Sequence, residues 1–143
     1  MTAQRVTQTK IAWIFKLGII FTLAGLLIFY HIYTIFDLYF GAGTSTHTNF
    51  EYVQSILRVA ITLNLLLVVL GSRRALWGMW ISITGLVTTH YWAHFGNLPV
   101  DFTQGRHPLS YLKGFIIPTI ITMAFYSSDN STESKTKDKN HSI

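Results

Sequence analysis

The sequence predicts an all-α integral membrane protein, a compact bundle of four transmembrane helices with both termini in the cytoplasm. Three observations carry that prediction. Half of the 143 residues are apolar and only 12% are charged, about half the charge of an ordinary soluble domain. The apolar residues gather into four runs of near-membrane length. The basic residues sit in alternate connections between those runs, as the positive-inside rule requires.

The first helix is expected over about 11–36. Its core, Leu17 to Phe36, is twenty residues broken by one histidine, and it spans about 30 Å at 1.5 Å per residue. A cleaved signal peptide is the competing reading, because Arg5, Lys10 and Lys16 precede the run. Signal h-regions are about 7–15 residues and end at small residues. This run is longer, rich in aromatics, and continues into Asp37-Leu38-Tyr39-Phe40, so it reads as an uncleaved anchor. The second helix, about 53–70, carries Arg58 near its start. The third, about 75–95, is ALWGMWISITGLVTTHYWAHF. The fourth, about 109–126, contains Lys113 and a central Pro118, which neighbouring helices can accommodate in a span as a kink or hinge. Residues 1–126 thus form one transmembrane domain, and the polar tail 127–143 has too little apolar surface to fold alone. A soluble bundle is disfavoured, because its helices would need polar faces.

Charge fixes the expected orientation. Arg5, Lys10, Lys16, Arg73, Arg74, Lys135, Lys137 and Lys139 lie on one side with Asp129, Glu133 and Asp138, a net of +5. The opposite side holds Arg58, Arg106 and Lys113 against Asp37, Glu51 and Asp101, a net of zero. The whole excess is therefore an orientation signal, which places the protein in a cell membrane, such as a bacterial inner membrane, and requires no nucleic acid. The absence of cysteine excludes a disulfide scaffold and thiolate chemistry. No phosphate-binding glycine loop, nucleophile elbow or paired intramembrane carboxylate is present, so no catalytic residue is assigned.

An offset of sixty residues aligns Gly18, Thr22 and Gly25 in the first helix with Gly78, Ser82 and Gly85 in the third. The echo suggests a 2+2 repeat of helical hairpins, although small residues recur in any packed membrane helix. Both readings predict close helix packing along these stripes, with the first and third helices in contact.

The histidines are the sharpest chemical feature. His31, His47, His90, His94 and His107 fall on the outer side, and His90 and His94 share a helical face. Imidazole suits a transition metal or haem b, which makes His31, His90 and His94 the candidate ligands. Tyr91 stands where a hydrolytic zinc helix needs glutamate. His31 lies about 140° around its helix from the small stripe, away from the expected contact. The alternative is an interfacial belt shared with Tyr30, Tyr33, Tyr39, Tyr91, Trp92 and Tyr111, hydrogen-bonded to headgroups and water. Proton transfer or pH sensing is a third option.

Arg58 sits one to two turns inside the outer boundary and needs a partner; Asp37 or Glu51 is the expected one, as a clamp between the first two helices. A transport path through Arg58, Thr62 and Asn64 is the functional alternative. The sequence therefore predicts an accessory, assembly or inhibitory subunit (an immunity protein against a pore-former among them), resident in the lipid bilayer, acting through another membrane protein or by self-association, with no cofactor assigned. A metal- or haem-binding redox protein and a small transporter subunit are the alternatives.

Overall fold

The computed structural model describes residues 2–41, 49–96, 98 and 105–127, with residues 2–10 and 12 described through their backbone. Of the expected tail, Ser127 belongs to the last helix, and residues 128–143 lie outside the described residues. The chain is an all-α bundle: α1 (Thr2–Phe40), α2 (Asn49–Val69), α3 (Arg73–Phe95) and α4 (Pro108–Ser127). Three of them, through Trp13–Phe40, Asn49–Val69 and Pro108–Ser127, are long and apolar enough to cross a membrane. The outer surface is apolar around the bundle, with Phe15, Phe29, Leu70, Trp77, Ile81 and Met123 among its exposed side chains. Such a surface needs lipid, because water leaves a large exposed apolar patch unstable.

The third expected span is the exception. At 23 residues α3 is about 34 Å long, but Ser82, Thr84, Thr88, Thr89, His90 and His94 dilute its hydropathy. Among the described residues it is also the helix with the most buried side chains: Ala75, Leu76, Met79, Ser82, Ile83, Leu86, Val87, Thr89 and Ala93. Its polar groups are absorbed by neighbours and by its own backbone. Ser82 Oγ donates to the Gly78 carbonyl at 2.8 Å, and Gln54 Nε2 of α2 donates to Thr89 Oγ1 at 3.3 Å.

Helix ends follow local chemistry more than charge. Asp37 does not stop α1; Gly41 does, its N–H donating to the Asp37 carbonyl at 2.8 Å. A Cβ at that glycine would collide with the same carbonyl oxygen. Gly71, at φ 88°, closes α2 in the left-handed conformation. Its N–H donates to Val68 O and the Ser72 N–H to Leu67 O, both at 2.9 Å, the paired bonds of a glycine-terminated helix. The helix then reverses at once into α3.

The first eight residues of α4, Pro108–Phe115, wind as a 3₁₀ helix before residues 116–127 turn α-helical. His107 caps the entry, its Nδ1 accepting from Leu109 N–H at 3.3 Å. Pro118 therefore falls in the first turn of the α-helical part rather than in the middle of a long α-helix. A missing N–H is tolerated there, and the expected mid-helix kink has no cause.

The packing corrects one expectation outright. Helix α2 packs against both α1 and α3, and α3 packs against the start of α4, but α1 and α3 make no backbone approach. Helix α4 returns to α1 at its far end, where Lys16 Nζ donates to Ser127 Oγ at 2.6 Å. Helix α2 thus stands between α1 and α3. The core between the four helices is Ala24, Ile61, Leu65, Val68, Ala75, Leu76, Met79, Ile83, Leu86, Val87, Tyr111 and Ile121.

Candidate functional site: a polar cluster inside the bundle

The four helices enclose a cavity of about 190 Å³. Leu27, Tyr30 and His31 come from α1, and Arg58 and Ile61 from α2. Ile83, Leu86, Val87 and His90 come from α3, and Tyr111 and Gly114 from α4. Helical periodicity assembles this wall, because α1 turns the face opposite its small stripe inward, and that face carries Ala24, Leu27 and His31.

Arg58 is the charged member. It lies nine residues from Asn49 and eleven from Val69, roughly 14 Å along the axis from the nearer end and deeper than expected. It is 7% exposed. Its Nη1 meets His31 Nδ1 at 3.3 Å, and its guanidinium lies 5.9 Å from the Tyr30 ring centroid. Guanidinium only donates, so His31 accepts through Nδ1 and carries its ring proton on Nε2. Among the described residues Arg58 meets no carboxylate. Asp37 and Glu51, the expected partners, are not beside it. Asp37 follows His31 by six residues, which puts it about 120° away around α1, on an exposed part of the helix.

The three candidate histidines are divided. His31 and His90 line the same cavity. His90 Nδ1 donates to the Leu86 carbonyl at 2.8 Å, and its ring stacks on Tyr111 with centroids 5.5 Å apart. His94 stands beyond that tyrosine, its Nδ1 3.3 Å from the Tyr111 hydroxyl. Among the described residues no three His, Asp or Glu side chains group closely enough to hold a metal ion. Two histidines do meet one cavity, but about 190 Å³ is below the roughly 300–1,000 Å³ usual for cofactor and drug-sized ligands, and a haem does not fit it.

Asn64 does not extend the cavity. Its Nδ2 donates to the Ala60 carbonyl at 2.8 Å, and its amide occupies the space in front of Gly78. Thr62 Oγ1 likewise donates to its own helix, at the Arg58 carbonyl. Neither residue is part of the cavity wall.

The small stripes have unequal fates. On α3, Gly78 faces Asn64 and Gly85 faces Leu57, whose Cδ2 is 3.0 Å from where a Cβ would stand; with buried Ser82 this stripe is filled by α2. On α1, Gly18 and Gly25 have nothing within 4 Å, and Thr22 between them is exposed.

Sequence reasoning groups Tyr111 with the interfacial aromatics and does not single out Gly114. The structure makes Tyr111 a buried hub between His90, Tyr91 and His94. Its only advance signal is its place in the first turn of the fourth helix, level with the end of the third. The chain matches no protein-family model, no curated protein and no solved structure, so its own residues carry the functional reading.

Proposed function

We propose that the chain is a four-span membrane protein with cytoplasmic termini, a non-catalytic subunit that works by docking another transmembrane helix. The docking stripe is Gly18, Thr22 and Gly25. One observation supports this most directly: the equivalent stripe of α3 is filled by α2, whereas a Cβ at Gly18 or Gly25 of α1 would meet nothing within 4 Å among the described residues. In lipid, small residues let helices approach closely because no hydrophobic drive separates apolar surface from apolar solvent. The partner is another membrane protein or a second copy. Orientation is supported by Lys16 and Arg73 lying together around Tyr126 and Ser127 at one end of the bundle, the basic end that the positive-inside rule assigns to the cytoplasm. On this reading α3 is the fourth span, made tolerable by its burial.

The cysteine-free chain gives a direct test. Thr22→Cys on the stripe is compared in native membranes with Ile81→Cys, an exposed position of α3. Thr22→Cys should give a discrete crosslinked adduct, a dimer of the chain or a larger species, and adding Gly25→Leu should abolish it. Equal adducts from both sites, or none from Thr22→Cys, would defeat the docking reading. Thiol labelling from outside should reach a cysteine at His107 but not one at Ser72; the reverse pattern defeats the orientation. The redox and transport readings are less well supported, since His94 stands apart from the cavity and Asn64 is engaged within α2.

A further inference from the structure

We infer that the Arg58 cavity is a binding site for the carboxylate head of a single-chain amphiphile, a fatty acid entering sideways from the bilayer. This goes beyond helix docking, which uses the opposite face of α1.

Four features of the cavity point to that ligand. First, no carboxylate among the described residues compensates its charge. A guanidinium has five N–H donors; one meets His31, and no buried side-chain nitrogen among the described residues is without a partner. The remaining donors are therefore reached from the cavity that Arg58 lines. A cation deep in an apolar helix is costly unless an anion or water joins it. A carboxylate offers two oxygens matched to the guanidinium fork.

Second, the rest of the wall is apolar. Leu27, Ile61, Ile83, Leu86 and Val87 line it, which suits methylenes behind a charged head. Third, the size is right for a head and a short length of chain. An engineered void of about 150 Å³ takes benzene, so about 190 Å³ takes roughly seven or eight heavy atoms, a carboxylate with about five carbons. A two-chain lipid headgroup with its glycerol is too large.

Fourth, the cavity has a side door. Among the described residues that line it, only Tyr30 and Gly114 are exposed. They come from α1 and the start of α4, and these two segments do not pack against each other. The gap faces the lipid-facing surface, so a chain held there leaves its tail in the bilayer. Gly114 sets the sill: among the described residues a Cβ there meets Val87 Cγ2 at 3.4 Å, ordinary contact, and a side chain continued from it would narrow the gap.

The test uses the full chain in nanodiscs of neutral phosphatidylcholine, with oleate as probe and thermal unfolding as readout. Oleate should raise the midpoint in a saturable way. Oleyl alcohol, the same chain without the charge, and inorganic phosphate, a charge without the chain, should leave it unchanged. Arg58→Gln should weaken the oleate response at least tenfold in concentration. Gly114→Leu should weaken it comparably with Arg58 still in place, so the result stands even if Arg58→Gln does not fold. Gly25→Leu, on the docking stripe, should bind oleate normally, which separates this proposal from the docking one. An equal response to oleyl alcohol would mean simple partitioning, and a response to phosphate alone a site for soluble anions. Either result overturns the proposal, as does undiminished oleate binding by Gly114→Leu.

Discussion

Adding a single methyl group at Gly78 should destabilise the bundle, and removing a side chain opposite should restore it. The Cβ of Gly78→Ala would stand 2.6 Å from Asn64 Cγ, well inside contact distance. The amide cannot yield freely, because its Nδ2 is held by the Ala60 carbonyl at 2.8 Å. Turning it away loses a hydrogen bond worth about 0.5–1.5 kcal/mol, and residual overpacking adds about 1–3 kcal/mol. Alanine returns roughly 0.5–1 kcal/mol as the better helix former. The net expectation is a loss of about 2 kcal/mol. Adding Asn64→Ala removes the obstacle, so the double variant should recover about 1–2 kcal/mol relative to the sum of the single losses. Gly18→Ala and Gly25→Ala, with open space around them, should be neutral or slightly stabilising. Reversible unfolding in mixed micelles, followed by far-UV circular dichroism across increasing dodecyl sulfate, measures the parent chain and five variants, the single Asn64→Ala included. If Gly78→Ala is no worse than Gly18→Ala, or if the losses at 64 and 78 simply add, the α2–α3 contact has been misassigned.

Three further outcomes are expected. Tyr111→Phe keeps the ring on His90 and loses only the hydroxyl at His94, costing about 0.5–1.5 kcal/mol, whereas Tyr111→Ala should cost about 3–5 kcal/mol; equal losses in thermal melts would deny the ring its central role. Trp80 Nε1 donates to Thr122 Oγ1 at 3.0 Å, so a cycle of Trp80→Phe and Thr122→Val should show coupling of about 1 kcal/mol; zero coupling would mean that α3 and α4 do not hold that register. Gln54→Leu, which removes the buried bond to Thr89, should cost only about 0.6 kcal/mol, the usual scale for interhelical bonds in membranes, and a loss several times larger would show the pair to be a critical clamp.

How much of this was legible from residues alone is clearest on α1. The helical wheel correctly separates His31 from the Gly18–Gly25 stripe by about 140°. Which of the two faces points inward is another matter. In a soluble helix the apolar face goes in, but a membrane helix is apolar on both sides, so hydropathy does not distinguish core from lipid. The expectation of a contact between the first and third helices therefore put the wrong face inside. The same ambiguity hid the partner of Arg58. Asp37 and Glu51 are near it in loop distance, yet His31 shares its depth. By contrast, hydropathy alone ends the second helix at about residue 70, and α2 ends at Val69, just before the positive-φ Gly71. Hydropathy was less decisive at Asp37, which α1 simply includes.

The modest hydropathy of α3 has a consequence for how the chain is built. A helix rich in threonine and histidine gains little by entering lipid alone. The Gly71 reversal joins it to α2 without a spacer, so the two can leave the translocation channel as one preformed hairpin. If α3 is the fourth span, as proposed, α2 would act as escort: its apolar length would carry α3 into the bilayer, and α3 would give back the grooves in which Leu57 and Asn64 lie. A chain released before α3 emerges would leave Arg58 without the bundle interior that shelters it, and such a fragment should be a ready substrate for membrane quality control.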